Sequence, residues 1–169
     1  MKCFSMLFIV LFAKLSFSYE CGKREPVLAH QQVSDKIDSF YEVLRSSHVD
    51  TILVYKQLNY NTGVKGIVIW KKAGLLKGYI MWLSNSPNDK FANSTKKIED
   101  AIKIYFDDAK SVEDLPPSDI ELTHDVEIDM QSYLNGTEKK YRFNASQTLN
   151  RKERLAQVAN LCYEIIFDY

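Results

Sequence analysis

The side chains best suited to catalysis are the three histidines, His30, His48 and His124. No pair of them has the spacing of a zinc site. His48 and Asp50 lie at an expected helix-to-strand junction, where they could hydrogen-bond, so a hydrolase with a dispersed site would use them. His124 and Asp125 are neighbours in an expected strand and therefore point to opposite faces. Each histidine is more simply read as structural.

Other catalytic patterns are missing from the sequence. It has neither a Gly-x-Ser-x-Gly turn nor a glycine-rich phosphate loop after a strand. The pairs Glu99/Asp100 and Asp107/Asp108 are adjacent on an expected helix and diverge, unlike the two carboxylates of a glycosidase. We therefore expect no catalytic site, no cofactor and no metal.

A regular acidic series offers a weak alternative, a cation or a basic partner. Alternate strand residues lie about 6.6 Å apart, so these carboxylates cannot all chelate one ion. Basic residues expected across a hairpin would neutralise much of the charge, and a solvated edge is the better interpretation. The acidic residues are Glu121, Asp125, Glu127 and Asp129, and the basic ones are Lys139, Lys140 and Arg142.

Residues 1–18 resemble a secretory signal peptide. A lysine at position 2 precedes a nearly apolar run from Cys3 to Ala13, and Ser16 and Ser18 suit the −3 and −1 positions of a cleavage site. The run is too short to span a bilayer of about 30 Å as a helix. The alternative is an uncleaved anchor. We predict a secreted, extracellular product of one domain, residues 19–169, without a membrane-spanning segment.

Composition limits the partners of that product. Cleavage would leave 20 Lys and Arg against 22 Asp and Glu, a net charge of −2. Without a basic excess, nucleic acid is not an expected partner. Hydrophobic residues make up 46% of the chain, which argues against disorder.

Cysteines and glycosylation signals agree with secretion. Cys21 and Cys162 would remain after cleavage, and one disulfide between them would close nearly the whole chain, worth about 5 kcal/mol in the chain-entropy model. Two free thiols or an intermolecular bridge are the alternatives. N-glycosylation is expected at one or more of the Asn-x-Ser/Thr sites, because each fits a surface position. These sites begin at Asn93, Asn135 and Asn144.

Three apolar runs, residues 52–58, 64–70 and 75–83, predict a three-stranded antiparallel meander. The last two do not alternate, so both sheet faces need cover. Strict alternation from 119 to 130 predicts another strand, or two strands in line, with one buried face. Asn135-Gly136 predicts a tight hairpin that pairs Met130 with Tyr141, Ile128 with Phe143 and Asp129 with Arg142.

Helices are predicted at about 34–45, 95–109 and from near Asn150 onward, where Glu153 would complete a capping box. The order α-β-β-β-α-β-β-α indicates an α+β domain with an antiparallel sheet, a meander plus a C-terminal hairpin. Whether both hairpins share one sheet is left open.

These sequence features indicate the general class of function but not a specific partner or ligand. The sequence favours a secreted, glycosylated binding or interaction protein, with an unknown extracellular protein as its partner. One alternative is a carrier of a small apolar ligand, because Trp70, Tyr79 and Trp82 could line a cavity; they could equally form the core or a subunit interface. The other alternative is a secreted hydrolase with a dispersed site.

Overall fold

The computed structural model describes residues 31–59, 63–82, 90–91, 95–106, 126–149 and 151–168. Helix α1 covers residues 31–46 of this part. Strands β1 (Thr51–Asn59), β2 (Gly63–Lys72) and β3 (Leu75–Trp82) follow, then the two-residue strand β4 (Lys90–Phe91) and helix α2 (Thr95–Phe106). The chain continues with β5 (Glu127–Leu134), β6 (Thr137–Asn144), a short 3-10 helix (Ala145–Thr148) and helix α3 (Arg154–Phe167).

The described strands form one antiparallel sheet in the order β4-β3-β2-β1-β5-β6. The meander pairs as predicted, with Val54 opposite Val68 and Val68 opposite Tyr79. β1 also pairs with β5, Tyr55 lying opposite Met130, so both hairpins belong to the same sheet. The α+β class is confirmed, and β4 adds a strand that the sequence did not predict.

The β5–β6 hairpin has the predicted register. Met130 faces Tyr141, Ile128 faces Phe143 and Asp129 faces Arg142. Asn135 and Gly136 have φ values of 47° and 91°, the left-handed pair that a two-residue hairpin turn requires. The predicted strand 119–130 is described only from residue 126 onward, and there β5 begins at Glu127.

Helices cover both faces of the sheet. On one face α2 and α3 pack on alternate residues of all five long strands, among them Leu53, Ile67, Ile80, Met130 and Phe143. On the other face α1 packs on the intervening residues of β1 to β3, including Ile52, Val68, Trp70 and Met81. The predicted need for cover on both sides is thereby confirmed.

A glycine lets α1 approach the sheet. A Cβ built on Gly66 of β2 would lie 2.6 Å from Ile37 Cδ1 and 2.9 Å from the Tyr55 backbone oxygen. Ile37 is fully buried at this point. The helix therefore rests its central isoleucine in the space that a side chain on β2 would occupy.

His48 ends α1. Its φ of 55° is left-handed, and the Val49 and His48 amides donate to the carbonyls of Leu44 and Arg45 at 3.3 and 3.2 Å. Val49 and Leu44 are both buried. These bonds and this apolar contact form a Schellman motif, with histidine where glycine is usual. The sequence showed no strong stop here.

The start of α3 differs from the prediction. Asn150 lies outside the described residues, and the helix begins at Arg154, after Glu153, whose side chain makes no cap hydrogen bond. The preceding residues form the 3-10 helix instead, where the Asn144 amide donates to Gln147 Oε1 at 2.8 Å. α2 starts at Thr95 as predicted, and its predicted last turn, 107–109, falls outside the described part.

None of the helices in the described residues combines the length and the apolar character needed to traverse a bilayer.

Candidate functional site

An apolar groove runs along one flank of α1. It has a volume of about 470 Å³ and lies between the helix and strand β3. Helix residues spaced by three and four form one wall, because such residues share a helix face. The lining is Lys36, Ser39, Phe40 and Val43 from α1, and Tyr79 and Met81 from β3.

Aromatic side chains fix the shape of this apolar groove. Phe40 packs edge-on against Trp70, with ring centroids 5.4 Å apart. It also lies against Tyr79, with centroids 5.3 Å apart. Trp70 and Met81 are buried beneath, whereas Val43 on the rim keeps 58% of its surface exposed. The groove thus combines a packed aromatic wall with an exposed aliphatic rim.

The sequence anticipated part of this groove. Tyr79 does line it, as the cavity hypothesis proposed. Trp70 instead belongs to the core beneath α1, and Trp82 packs on the opposite face, against the core under α2 and α3. Phe40 and Val43 were missed as site residues. Phe40 belongs to the apolar stripe of α1 that also contains the core residues Ile37, Tyr41 and Leu44. Val43 lies just beside that stripe.

A second, charged groove lies on the other flank of α1, over β1, β5 and β6. Its volume is about 350 Å³, and its charged and amide lining is Asp38, Lys56, Asp129, Gln131, Lys140 and Arg142. Lys56 is only 8% exposed. Its ammonium group donates to the two Asp38 carboxylate oxygens at 3.0 and 3.1 Å and to Ser34 Oγ at 3.3 Å.

The remaining charges of the charged groove are also paired. Arg142 Nε lies 2.7 Å from Asp129 and 2.9 Å from Glu127. Lys140 pairs with Glu138 at 3.1 Å rather than with the acidic series. Arg142 is therefore the residue that pairs with Glu127 and Asp129. Glu121 and Asp125 lie outside the described residues.

His48 and Asp50 do not assemble a site in the described residues. Both side chains are exposed, and neither lines either groove. No hydrogen bond joins them within the described part of the chain. The Asp50 carbonyl instead accepts the Asn135 amide at 3.0 Å, so this junction holds the β5–β6 turn. His30 and His124 lie outside the described residues.

Cys162 is fully buried in the core between α3 and the sheet. Burial raises the pKa of its thiol to about 12, so a free thiol here would stay protonated at neutral pH. Within the described residues Cys162 has no disulfide partner. Cys21 lies outside them, and the bridge stays a prediction.

Two of the three glycosylation signals fall in the described residues. Asn135 is exposed in the β5–β6 turn, and Thr137 of the same signal is also exposed. Asn144 is exposed at the end of β6, but Ser146 of its signal is only 4% exposed. Asn93 lies outside the described part.

No group of three or more metal-ligating side chains occurs within the described residues. Searches found no protein family, no curated protein and no solved structure that matches the chain. The function is therefore argued from the two grooves and the sequence signals alone.

Proposed function

We propose that this chain is a secreted, glycosylated binding protein whose apolar groove accepts an apolar group of an extracellular partner. The observation that carries the proposal is the uncovered rim at Val43 above the aromatic wall of Phe40 and Tyr79. Covering such a surface is favourable by roughly 25 cal/mol per Å² of apolar area removed from water.

The charged groove is the weaker candidate for this role. Lys56 is held by Asp38, and Arg142 by Asp129 and Glu127. A charged ligand would have to replace these internal pairs, and it would gain little from an exchange of one ion pair for another. A partner can cover the apolar groove without displacing an ion pair.

A carrier of a small apolar ligand is the second candidate. The volume of about 470 Å³ lies within the range of small-molecule sites. Such sites enclose most of their ligand, whereas the Val43 rim is open to solvent. The open rim favours a partner that inserts one side chain or a short segment.

Binding can be tested with the anionic apolar dye 1-anilinonaphthalene-8-sulfonate. We expect saturable fluorescence enhancement with the intact protein and an affinity at least about ten-fold lower for Val43→Asp, a loss of about 1.4 kcal/mol. Leu149→Asp is the matched control, because Leu149 is 51% exposed and lies outside the groove. Equal dye affinity in all three proteins would contradict the proposal.

Mass spectrometry of the native protein from its source separates the two candidates. A carrier should release a bound apolar compound that the dye displaces from the wild-type protein. A partner-binding protein should show no bound apolar compound in the mass spectrum and should retain the Val43-dependent dye site.

Secretion, glycosylation and the bridge have their own test. When the full chain is expressed in eukaryotic secretory cells, the culture medium should contain a protein that begins near Tyr19 and carries glycan. Peptide mapping without reduction should recover Cys21 linked to Cys162. Retention of residues 1–18 in a membrane fraction would favour the anchor alternative, and a free Cys162 thiol would contradict the bridge.

A further inference from the structure

β6 is the last strand at one edge of the described sheet. In a two-residue hairpin the residues flanking the turn exchange both hydrogen bonds, and bonded pairs then alternate with unbonded pairs. Leu134 and Thr137 flank this turn. The backbone amides and carbonyls of residues 138 and 140 therefore point away from β5, toward the side of β6 on which no other described strand lies.

The side chains along that edge are complementary to a second copy of themselves. Glu138 and Lys140 carry opposite charges and both are on the exposed face of β6. If two copies pair antiparallel about residue 139, each Glu138 meets the Lys140 of the other copy. Because Glu138 and Lys140 already pair with each other within the chain at 3.1 Å, the facing charges favour this register, and the outward backbone groups supply the attraction between the strands. β6 also lacks proline, a residue that often protects edge strands.

The two described glycosylation signals lie at the two ends of this strand. Asn135 precedes β6 in the turn, and Asn144 is its last residue. They are separated by about 24 Å or slightly more, given a rise of about 3.4 Å per residue. N-glycans are bulky and hydrated, so a pair at these positions would flank every backbone group that a second strand needs to reach.

We propose that glycans on Asn135 and Asn144 together block edge-to-edge pairing of β6 with a second copy of this chain. This inference rests on the proposed secretion and glycosylation. It also places the glycans away from the binding surface, because β6 lies four strand spacings from β3, about 19 Å at 4.8 Å per spacing. The apolar groove stays accessible while the sheet edge is covered.

Burial of Ser146 sets the order of events at Asn144. Ser146, the residue whose hydroxyl the transferase must recognise, is only 4% exposed in the folded chain. Modification of Asn144 therefore precedes formation of the 3-10 helix. Asn135 and Thr137 remain exposed in the folded turn, and their modification carries no such requirement.

The test removes the glycans without disturbing the turn. Thr137→Ala abolishes the first signal and keeps Asn135, whose φ of 47° the turn requires. Asn144→Gln abolishes the second signal and keeps the backbone amide that bonds Gln147. The double variant and the wild type, both secreted from the same cells, are compared by sedimentation. Enzymatic removal of glycans from folded wild-type protein serves as a second measurement that needs no substitution.

We expect wild-type glycoprotein to remain monomeric and both glycan-free forms to dimerise at least about ten-fold more tightly. Lys140→Pro in the double variant should restore the monomer, because it removes an outward amide and leaves the bonds to β5 intact. Its melting temperature is checked first, and enzymatic deglycosylation of Lys140→Pro alone provides the same comparison.

Each other result overturns the inference. Glycans present on both residues with no change in association upon their removal would reject it and leave the proposed function standing. Dimers that persist with Lys140→Pro would show that β6 is not the contact. Secreted protein without glycan at either residue would reject this inference. If Asn93 were also unmodified, the glycosylation part of the proposed function would be rejected too, while the dye test of the groove would be unaffected.

Discussion

Lys56 of β1 and Asp38 of α1 form an ion pair with Nζ and Oδ1 3.0 Å apart, and this pair anchors the helix beside its apolar contacts. The two partners are buried unequally, since the Lys56 side chain is 11% exposed and that of Asp38 48% exposed. Loss of Asp38 would therefore leave a nearly buried ammonium group without the carboxylate to which it is hydrogen-bonded.

Asp38→Ala should lower the free energy of unfolding by about 1–3 kcal/mol, because a buried charge without its partner is costly. Lys56→Met should be close to neutral, since the methionine keeps the packing and removes the charge. Urea unfolding of both variants provides the comparison. A greater loss for Lys56→Met than for Asp38→Ala would show that the pair itself, rather than the stranded charge, sets the stability.

Gly66→Ala should destabilise the chain by about 1–3 kcal/mol through overpacking. The added methyl group would lie 2.6 Å from Ile37 Cδ1 and 2.9 Å from the Tyr55 backbone oxygen, so the Ile37 side chain, the strand or the helix must move. Ile37→Val removes that carbon atom, and the double variant should recover part of the loss in thermal unfolding. Additive losses in the double variant would contradict the contact as the cause.

Ala73→Asn should raise the free energy of unfolding by about 0.5–1 kcal/mol. Ala73 has a φ of 51° in the β2–β3 turn, a conformation that asparagine tolerates better than alanine. The β5–β6 turn already has asparagine in the corresponding place, so Asn135→Ala in unglycosylated protein should produce the opposite change. Denaturant midpoints of the two variants should move in opposite directions.

Stability should depend on pH through Glu138. Partial burial opposes ionisation, but hydrogen bonds from Lys140 and Gln131 outweigh it and hold the pKa of Glu138 below its ordinary value. A lowered folded-state pKa means that the stabilisation is complete above the unfolded value of about 4.3 and disappears as the pH falls through the folded value.

Glu138→Gln should therefore be less stable than wild type at pH 7, by up to about 1 kcal/mol for a largely exposed pair. The two proteins should converge once the pH has fallen below the lowered folded-state pKa of Glu138, where both side chains are neutral. Melting temperatures across this range provide the measurement. A difference that persists unchanged at low pH would assign the effect to packing.

Local signals predicted the parts of the fold that local geometry determines. Asn135-Gly136 set the register of the last hairpin, because a two-residue turn with positive φ values permits one pairing of its flanking strands. The predicted start of α3 near Asn150 was wrong, because the preceding residues form a different local structure. Asn150 looked like a cap, but residues 145–148 already form a 3-10 helix, and α3 begins only at Arg154.

The candidate site could be predicted only in part, because it depends on contacts between distant elements. Tyr79 was anticipated as a ligand-facing aromatic residue. Phe40 and Val43 became groove residues only because α1 packs on β1 to β3 with Phe40 against Tyr79, while Val43 stays exposed beside that contact. Nothing in the spacing of the α1 stripe specifies which strand its edge will face.

The central position of β1 has a consequence for biosynthesis. β1 pairs on one side with its immediate successor in the chain and on the other with β5, which follows only after β2, β3, β4 and α2 have been made. When only the meander has been synthesised, one row of β1 backbone amides and carbonyls therefore lacks the hydrogen bonds that β5 will provide. Until the last hairpin has been synthesised, this side of β1 is an unpaired strand edge, the kind of surface that makes a partly folded chain prone to aggregation.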